Sequence, residues 1–232
     1  MSLLPYEDFQ RRADAVCARI ATACRRAGRD PAGVELLAVT KTHPAAAAAY
    51  AARYGLRGVG ENRVQEGVEK RAQVEAVLRW ELIGHLQSNK AGVAAEHFDR
   101  IQTVDSAKLL TQLDRAAAAR GRPLPILLQV NAGDDPAKFG VAVADAPRLL
   151  ETALGQNHLR VEGLMTIAPL SPDSAVAERA FARLRETRDL LAAQFQVPLA
   201  ELSMGMSGDL DAAVAAGSTL VRVGSALFGD RP

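Results

Sequence analysis

LLAVTKTHPAAAAAYAARYGLRGVG, Leu36–Gly60, holds one full period of the pattern that decides the fold. Leu36–Thr40 is an apolar run of strand length that ends on Lys41, Pro44–Tyr54 is an alanine-rich helix former, and Gly58–Gly60 begins a second strand. Apolar strands separated by helices read as βα units of a parallel sheet covered on both faces. The same alternation continues along the chain. Further strands are expected at Trp80–Ile83, Ile101–Val104, Ile126–Val130, Gly163–Ile167, Leu202–Met204 and Leu220–Val223. Helices are expected at Val64–Leu78, Asn89–Glu96, Ala107–Arg120, Ala144–Leu154, Val176–Phe195 and Asp209–Ala216. Eight such units without a second composition zone predict a (β/α)8 TIM barrel, a single domain over residues 1–232. Ahead of it, Phe9, Ala13, Val16, Ile20, Cys24 and Ala27 recur at helical spacing up to Gly28. They predict an extra N-terminal helix, expected to lie as a lid over one end of the barrel. An open doubly wound sheet is the competing architecture. Its dinucleotide fingerprint is missing, because Arg63 stands where GVGENR would need a third glycine, and GHLQSNK (Gly84–Lys90) lacks a P-loop's second glycine.

Composition removes whole classes of function. Lys and Arg number 28 against 27 Asp and Glu, a net charge of +1, so the electrostatic footprint of a nucleic-acid binder is absent. Aromatic residues are only 4%, which argues against base-stacking platforms. The sequence has no apolar stretch of about 18 residues, so no membrane span is expected. The N-terminal MSLLPYEDFQRR carries Glu7 and Asp8 and does not resemble a signal peptide, leaving a cytoplasmic location as the expectation. Cys17 and Cys24 would lie about 10 Å apart along one helix, too far for a disulfide. His43, His97 and His158 show no metal-ligand spacing, so no metal is expected.

Barrel chemistry gathers at the C-terminal ends of the strands. The residues found there are Lys41, His85, Asn131, Met165, the pair Ser203 and Met204, and Arg222. Lys41 reads either as a lysine that snorkels to solvent or as an amine in a low-dielectric pocket, able to attack a carbonyl and form an imine. In SMGMSGDLDAAVAAG, Ser207 is the expected N-cap of a short helix with Asp209 and Asp211 in its first turn. Gly224 and Ser225 form a second glycine turn. These are either two ordinary βα turns or a phosphate cup of the kind barrels build after strands seven and eight. An imine-forming lysine, an arginine and a phosphate cup describe pyridoxal 5′-phosphate (PLP). A sugar-phosphate aldolase fits less well, since Glu61 is the only strand-end carboxylate with a fair claim to proton transfer.

The blocks LLAVTKTHP, GENRVQE, WELIGHLQSNK, VNAGDDPAKFG, GLMTI and LSMGMSGDLDAAVAAGSTLVRVGSALFG, in this order along nearly the whole chain, resemble the pyridoxal phosphate homeostasis protein family, a relative of the alanine racemase N-terminal barrel. The resemblance implies that Lys41 holds PLP as an internal aldimine, with Ser207, Gly224 and Ser225 on the phosphate. It also implies Asn62 near the ring hydroxyl and Arg222 facing the pyridine nitrogen. His85, Asn131, Met165, Ser203 and Met204 are further pocket candidates. An arginine at that nitrogen opposes its protonation and weakens the ring as an electron sink. Arg63 and Glu81 depart from the Tyr and His common in the family, and both are expected to alter the pocket rim. Racemisation requires a base on each face of the substrate carbon, the second one a Tyr from a domain expected to be missing here. Tyr6, Tyr50 and Tyr54, the only tyrosines, are expected away from the mouth. The implied role is intracellular PLP homeostasis with transfer to apo-enzymes, as a monomer. A weak PLP-dependent amino-acid racemase or related enzyme is the alternative.

Overall fold

In the computed structural model, which describes residues 3–229, eight parallel strands close into a barrel in chain order. They are β1 (Glu35–Val39), β2 (Gly58–Glu61), β3 (Arg79–Leu82), β4 (Arg100–Val104), β5 (Leu124–Gln129), β6 (Leu159–Met165), β7 (Glu201–Ser203) and β8 (Leu220–Val223). Residues 1–2 and 230–232, the ends of the expected domain, lie outside the described residues. β8 closes the ring on β1 with Leu37 opposite Arg222, and this is the register that carries an arginine into the interior. Strand alternation separates two cores. Leu36 and Ala38 of β1 face the helices, whereas Leu37 and Val39 meet Ile83 and Leu220 inside the barrel.

The outer ring comprises α2 (Ala46–Tyr54), α3 (Val64–Arg71), α4 (Ala91–His97), α5 (Ala107–Ala117), α6 (Ala146–Leu154), α7 (Ser174–Phe195), α8 (Leu210–Ala215) and the single turn α9 (Ser225–Phe228). β6 begins earlier than expected. Arg160, exposed, and Glu162, half-buried, interrupt the apolar run but still lie in the strand. α3 stops at Arg71 rather than Leu78, because the following residues turn away and leave Val77 fully exposed.

The N-terminal helix α1 (Tyr6–Arg26) corrects the expected lid. It lies on the flank of the barrel against α8, α9 and α2. Phe9 stacks on Phe228 at 5.1 Å, and Tyr54 on α2 donates to Asp14 at 2.6 Å. Among the described residues β8 is followed by the single turn α9, and α1 takes the place of a full-length helix in the ring beside it. Its buried stripe, Phe9, Ala13, Val16, Ile20 and Cys24, is then an ordinary sheet-covering face.

Gly163 marks a point where two strands crowd together. A β-carbon there would come within 1.9 Å of the Glu201 carbonyl oxygen across the β6–β7 pairing.

Candidate functional site

Lys41 stands at the tip of a tight turn after β1, in which the His43 amide donates to the Thr40 carbonyl at 3.1 Å. Thr42 adopts φ +67°, a left-handed conformation uncommon outside glycine. Buried charges under the turn hold it in place. Lys70 of α3 donates to the Thr40 carbonyl at 2.7 Å, to Glu61 at 2.8 Å and to Glu66 at 2.7 Å, and Glu66 accepts the Thr42 amide. The Thr40 hydroxyl donates to Glu61 at 2.5 Å. Burial pushes the Glu61 carboxyl above its ordinary value, against the pull of Lys70. Glu61 is therefore a structural anchor facing α3, and it does not reach the barrel mouth.

Beside Lys41 opens a cavity of about 290 Å3, bordered by Asn62, Ser207, Arg222, Gly224 and Ser225. All six residues placed by resemblance on the cofactor thus share one cavity, drawn from the ends of β1, β2, β7 and β8. Val39, Ile83, Ile167 and Met206 supply apolar walls, and His43, Gly208 and Gly229 complete the rim. Gly84 brings the second loop in. A β-carbon there would meet the Asn62 carbonyl oxygen at 2.2 Å, so only glycine lets the backbone of Asn62 lie against the end of β3.

The cup after β7 and β8 differs from the expected capping pattern. The N-cap position of α8 is Asp209, whose carboxylate turns back to accept the Met206 amide at 2.6 Å. Ser207 is thereby released from helix capping. Its hydroxyl accepts from the Ser225 hydroxyl at 3.2 Å and the Ala226 amide at 3.4 Å, joining the two loops. Arg19 of α1 holds the Ser207 carbonyl at 2.7 Å and pairs with Asp211, which draws that second acid away from the cup. Ser225 is the first residue of α9 and presents its N–H at the cup, whereas the Ala226 N–H is already held by Ser207.

Arg222 is fully enclosed, and burial lowers its pKa to about 10, with Asp209 and Glu81 acting in the opposite direction. It remains a cation at neutral pH. Its guanidinium donates to Ser203 Oγ at 2.7 Å and to the Thr166 carbonyl at 2.8 Å, two of the five N–H donors available. An enclosed cation, two joined hydroxyl loops and a lysine around a compact, partly apolar space fit a small anionic aldehyde such as PLP. A larger cleft of about 480 Å3 between α1, α7 and α8 is walled mainly by alanine and brings no comparable set of polar groups together.

The remaining candidates lie elsewhere. His85 stacks on Phe139 at 3.8 Å and approaches Asp105 at 3.7 Å, outside the cavity wall. Asn131 is taken up by its own loop, exchanging hydrogen bonds with Asp135. Met165 and Met204 are fully buried and do not border the cavity, and Ser203 is reached only through Arg222. Arg63 is exposed, but Glu81 is not at the rim as expected: it is fully buried inside the barrel. Tyr6, Tyr50 and Tyr54 cluster with Phe9 between α1 and α2. Sequence reasoning missed Val39, Ile83, Ile167 and Met206 as cavity walls, since apolar side chains beside a strand end look like any other core residue, and it missed His43 on the rim.

Residues 12–232 match the family model described as the alanine racemase N-terminal domain, the class that this barrel and its mouth define. Among the relatives within that class, a pyridoxal phosphate homeostasis protein of Pseudomonas aeruginosa is 46% identical over 217 residues, 93% of each chain. PipY of Synechococcus elongatus PCC7942, solved with PLP bound, is 40% identical at a TM-score of 0.83, over 95% of this chain and 100% of that one. The chain belongs to the pyridoxal phosphate homeostasis protein family. An alanine racemase of Clostridium difficile 630 shares the fold at 13% identity, with a TM-score of 0.75 over 93% of this chain and 57% of that one.

Proposed function

We propose that this protein binds PLP in the 290 Å3 cavity and serves PLP homeostasis, holding the cofactor as an exchangeable Schiff base on Lys41. The observation that carries this reading is the convergence of Lys41, Arg222 and the joined Ser207 and Ser225 loops on one space. The Lys41 Nζ attacks the cofactor aldehyde, a C=N bond forms and water leaves; addition of water or of another amine reverses the step. The Ser207 and Ser225 hydroxyls, the Ser225 amide and the backbone at Gly224 receive the phosphate. Asn62 lies at the ring hydroxyl. Arg222 faces the ring nitrogen and keeps it unprotonated, so the bound cofactor is a poor electron sink, suited to storage and transfer to apo-enzymes. The barrel acts as one domain over residues 1–232, as a cytoplasmic monomer.

PLP added to the protein is expected to give an imine absorbance band that borohydride fixes, with the added mass on the Lys41 peptide. Lys41→Ala is expected to lose the band and the label completely. Label on a different lysine in the wild type, or an undiminished band in Lys41→Ala, overturns the assignment.

A further inference from the structure

The interior of the barrel holds a hydrogen-bonded chain that this reading of the cavity does not use. Arg222 Nη1 donates to Ser203 Oγ at 2.7 Å, and Ser203 Oγ donates to Gln102 Oε1 at 2.6 Å. Gln102 Nε2 then donates to Glu81 Oε2 at 2.5 Å. The chain crosses from β8 through β7 and β4 to β3, and all four side chains are buried. At its far end Glu81 also accepts from Arg100 Nε at 2.8 Å, Arg100 Nη2 at 3.0 Å and Arg79 Nε at 2.7 Å.

Every link runs in one direction. Arginine has donors only, so the Ser203 oxygen must accept from Arg222 and its single proton must go to Gln102. That proton fixes the Gln102 amide with its oxygen toward Ser203 and its nitrogen toward Glu81. Glu81 can serve this many donors only as a carboxylate. Among the described residues Arg222 forms no ion pair, and its two hydrogen-bond partners are neutral. A buried cation without a contacting charge is costly, and Asp209 and Glu81 are the acids that favour it from a distance. Aligned hydrogen bonds polarise one another, so the negative charge of Glu81 is felt at Ser203 Oγ.

We infer that Glu81 is a remote counter-ion of Arg222 beside Asp209, acting through Gln102 and Ser203 to fix the guanidinium that faces the cofactor ring. Glu81, Gln102 and Ser203 are therefore positioning residues for the PLP site, and the arginines around Glu81 at the opposite mouth of the barrel help to set how the cofactor is held. The Arg222 end of the chain rests on the proposed PLP site. The chain itself is a property of the protein alone.

Three readouts test it, one of them without PLP. In the cofactor-free protein, NMR follows solvent exchange of the Arg222 guanidinium protons. Slow exchange is expected in the wild type, and exchange at least tenfold faster in Ser203→Ala, Gln102→Met and Glu81→Gln. In the loaded protein, the PLP dissociation constant is expected to rise about tenfold in Glu81→Gln and by at least as much in Ser203→Ala. The nitrogen resonance of 15N-labelled PLP should move in the same direction in both, toward its position in Arg222→Gln. Ser203→Thr, which keeps the hydroxyl, should restore wild-type values. Adding Glu81→Gln to Ser203→Ala should change affinity less than twofold, because the chain is already cut; two independent structural losses would multiply. If Glu81→Gln fails to fold, the Ser203 and Gln102 variants decide. Wild-type Arg222 exchange in folded Ser203→Ala and Gln102→Met overturns the inference. A wild-type protein that takes up no PLP defeats the functional proposal, while the exchange measurement still judges the chain.

Discussion

The two faces of the barrel sheet are built on opposite principles. The layer between strands and helices is apolar nearly throughout, with Phe181, Leu184, Leu109, Leu113 and Ile126 all at or near zero exposure. Inside the barrel only Leu37, Val39, Ile83 and Leu220 form an apolar cluster. Beside them and the buried Leu127 and Met165, that space holds Arg222, Ser203, Gln102, Glu81 and Arg100 in one hydrogen-bonded system. Burying apolar area drives folding without regard to direction, whereas buried ions stabilise only when every partner is in place. The outer layer accordingly supplies stability, and the interior supplies orientation. The division has one exception. Glu61 points from β2 into the outer layer, where it meets Lys70 under the Lys41 turn.

The largest test of this contrast is Phe181→Ala in the outer layer. It is expected to cost about 3–5 kcal/mol of stability, read from urea denaturation, because a fully buried ring leaves a cavity behind. The folded fraction should still take up PLP with unchanged affinity. A marked loss of PLP affinity in the folded protein would show that the two layers are not separable.

Glu61→Gln probes the exception. Burial raises the folded-state pKa of Glu61 above its ordinary value of 4.5, so between those two values the folded state holds the proton more tightly than the unfolded state does. Its contribution to stability is then fully present below about pH 4.5 and is lost as pH rises through the raised value. The amide cannot titrate, so urea midpoints of Glu61→Gln measured across that window should decline less than those of the wild type. Parallel curves would mean that Lys70 balances burial, and a wild type that gains on the variant with pH would mean that Lys70 outweighs it.

The smallest effect is expected on the outside of the ring. Arg11, about three-quarters exposed and paired with Asp8 one turn away, should be replaceable by alanine within about 0.5 kcal/mol in the same denaturation assay. A larger loss would mean that surface pairs on α1 matter to how it docks on the barrel.

Much of the site was legible because its residues break local patterns. Lys41 ends an apolar run, Arg222 interrupts another, and Ser207, Gly224 and Ser225 fall in the two loops where barrels collect anion donors. What misled was distance along the chain. Asp209, two residues after Ser207, takes the N-cap position of α8, and that competition cannot be decided from composition. Glu81 was expected at the rim because it stands where the family commonly has His, yet strand parity turns it inward alongside Arg79 and Ile83. His85 and Asn131 stand at the right strand ends, but partners in their own or neighbouring loops draw them aside.

The sequence alone determined the eight βα units, the amphipathic stripe of α1 and the family, because apolar periodicity and the order of motifs are local properties of the chain. Only the tertiary structure decided that α1 fills the flank of the ring rather than covering its end. It alone joined Ser207 to Ser225 across 18 residues and Ser203 to Gln102 across 101. Those contacts depend on barrel closure and on the register of β1 against β8, and pairings of that range leave no periodic trace in the residues that make them.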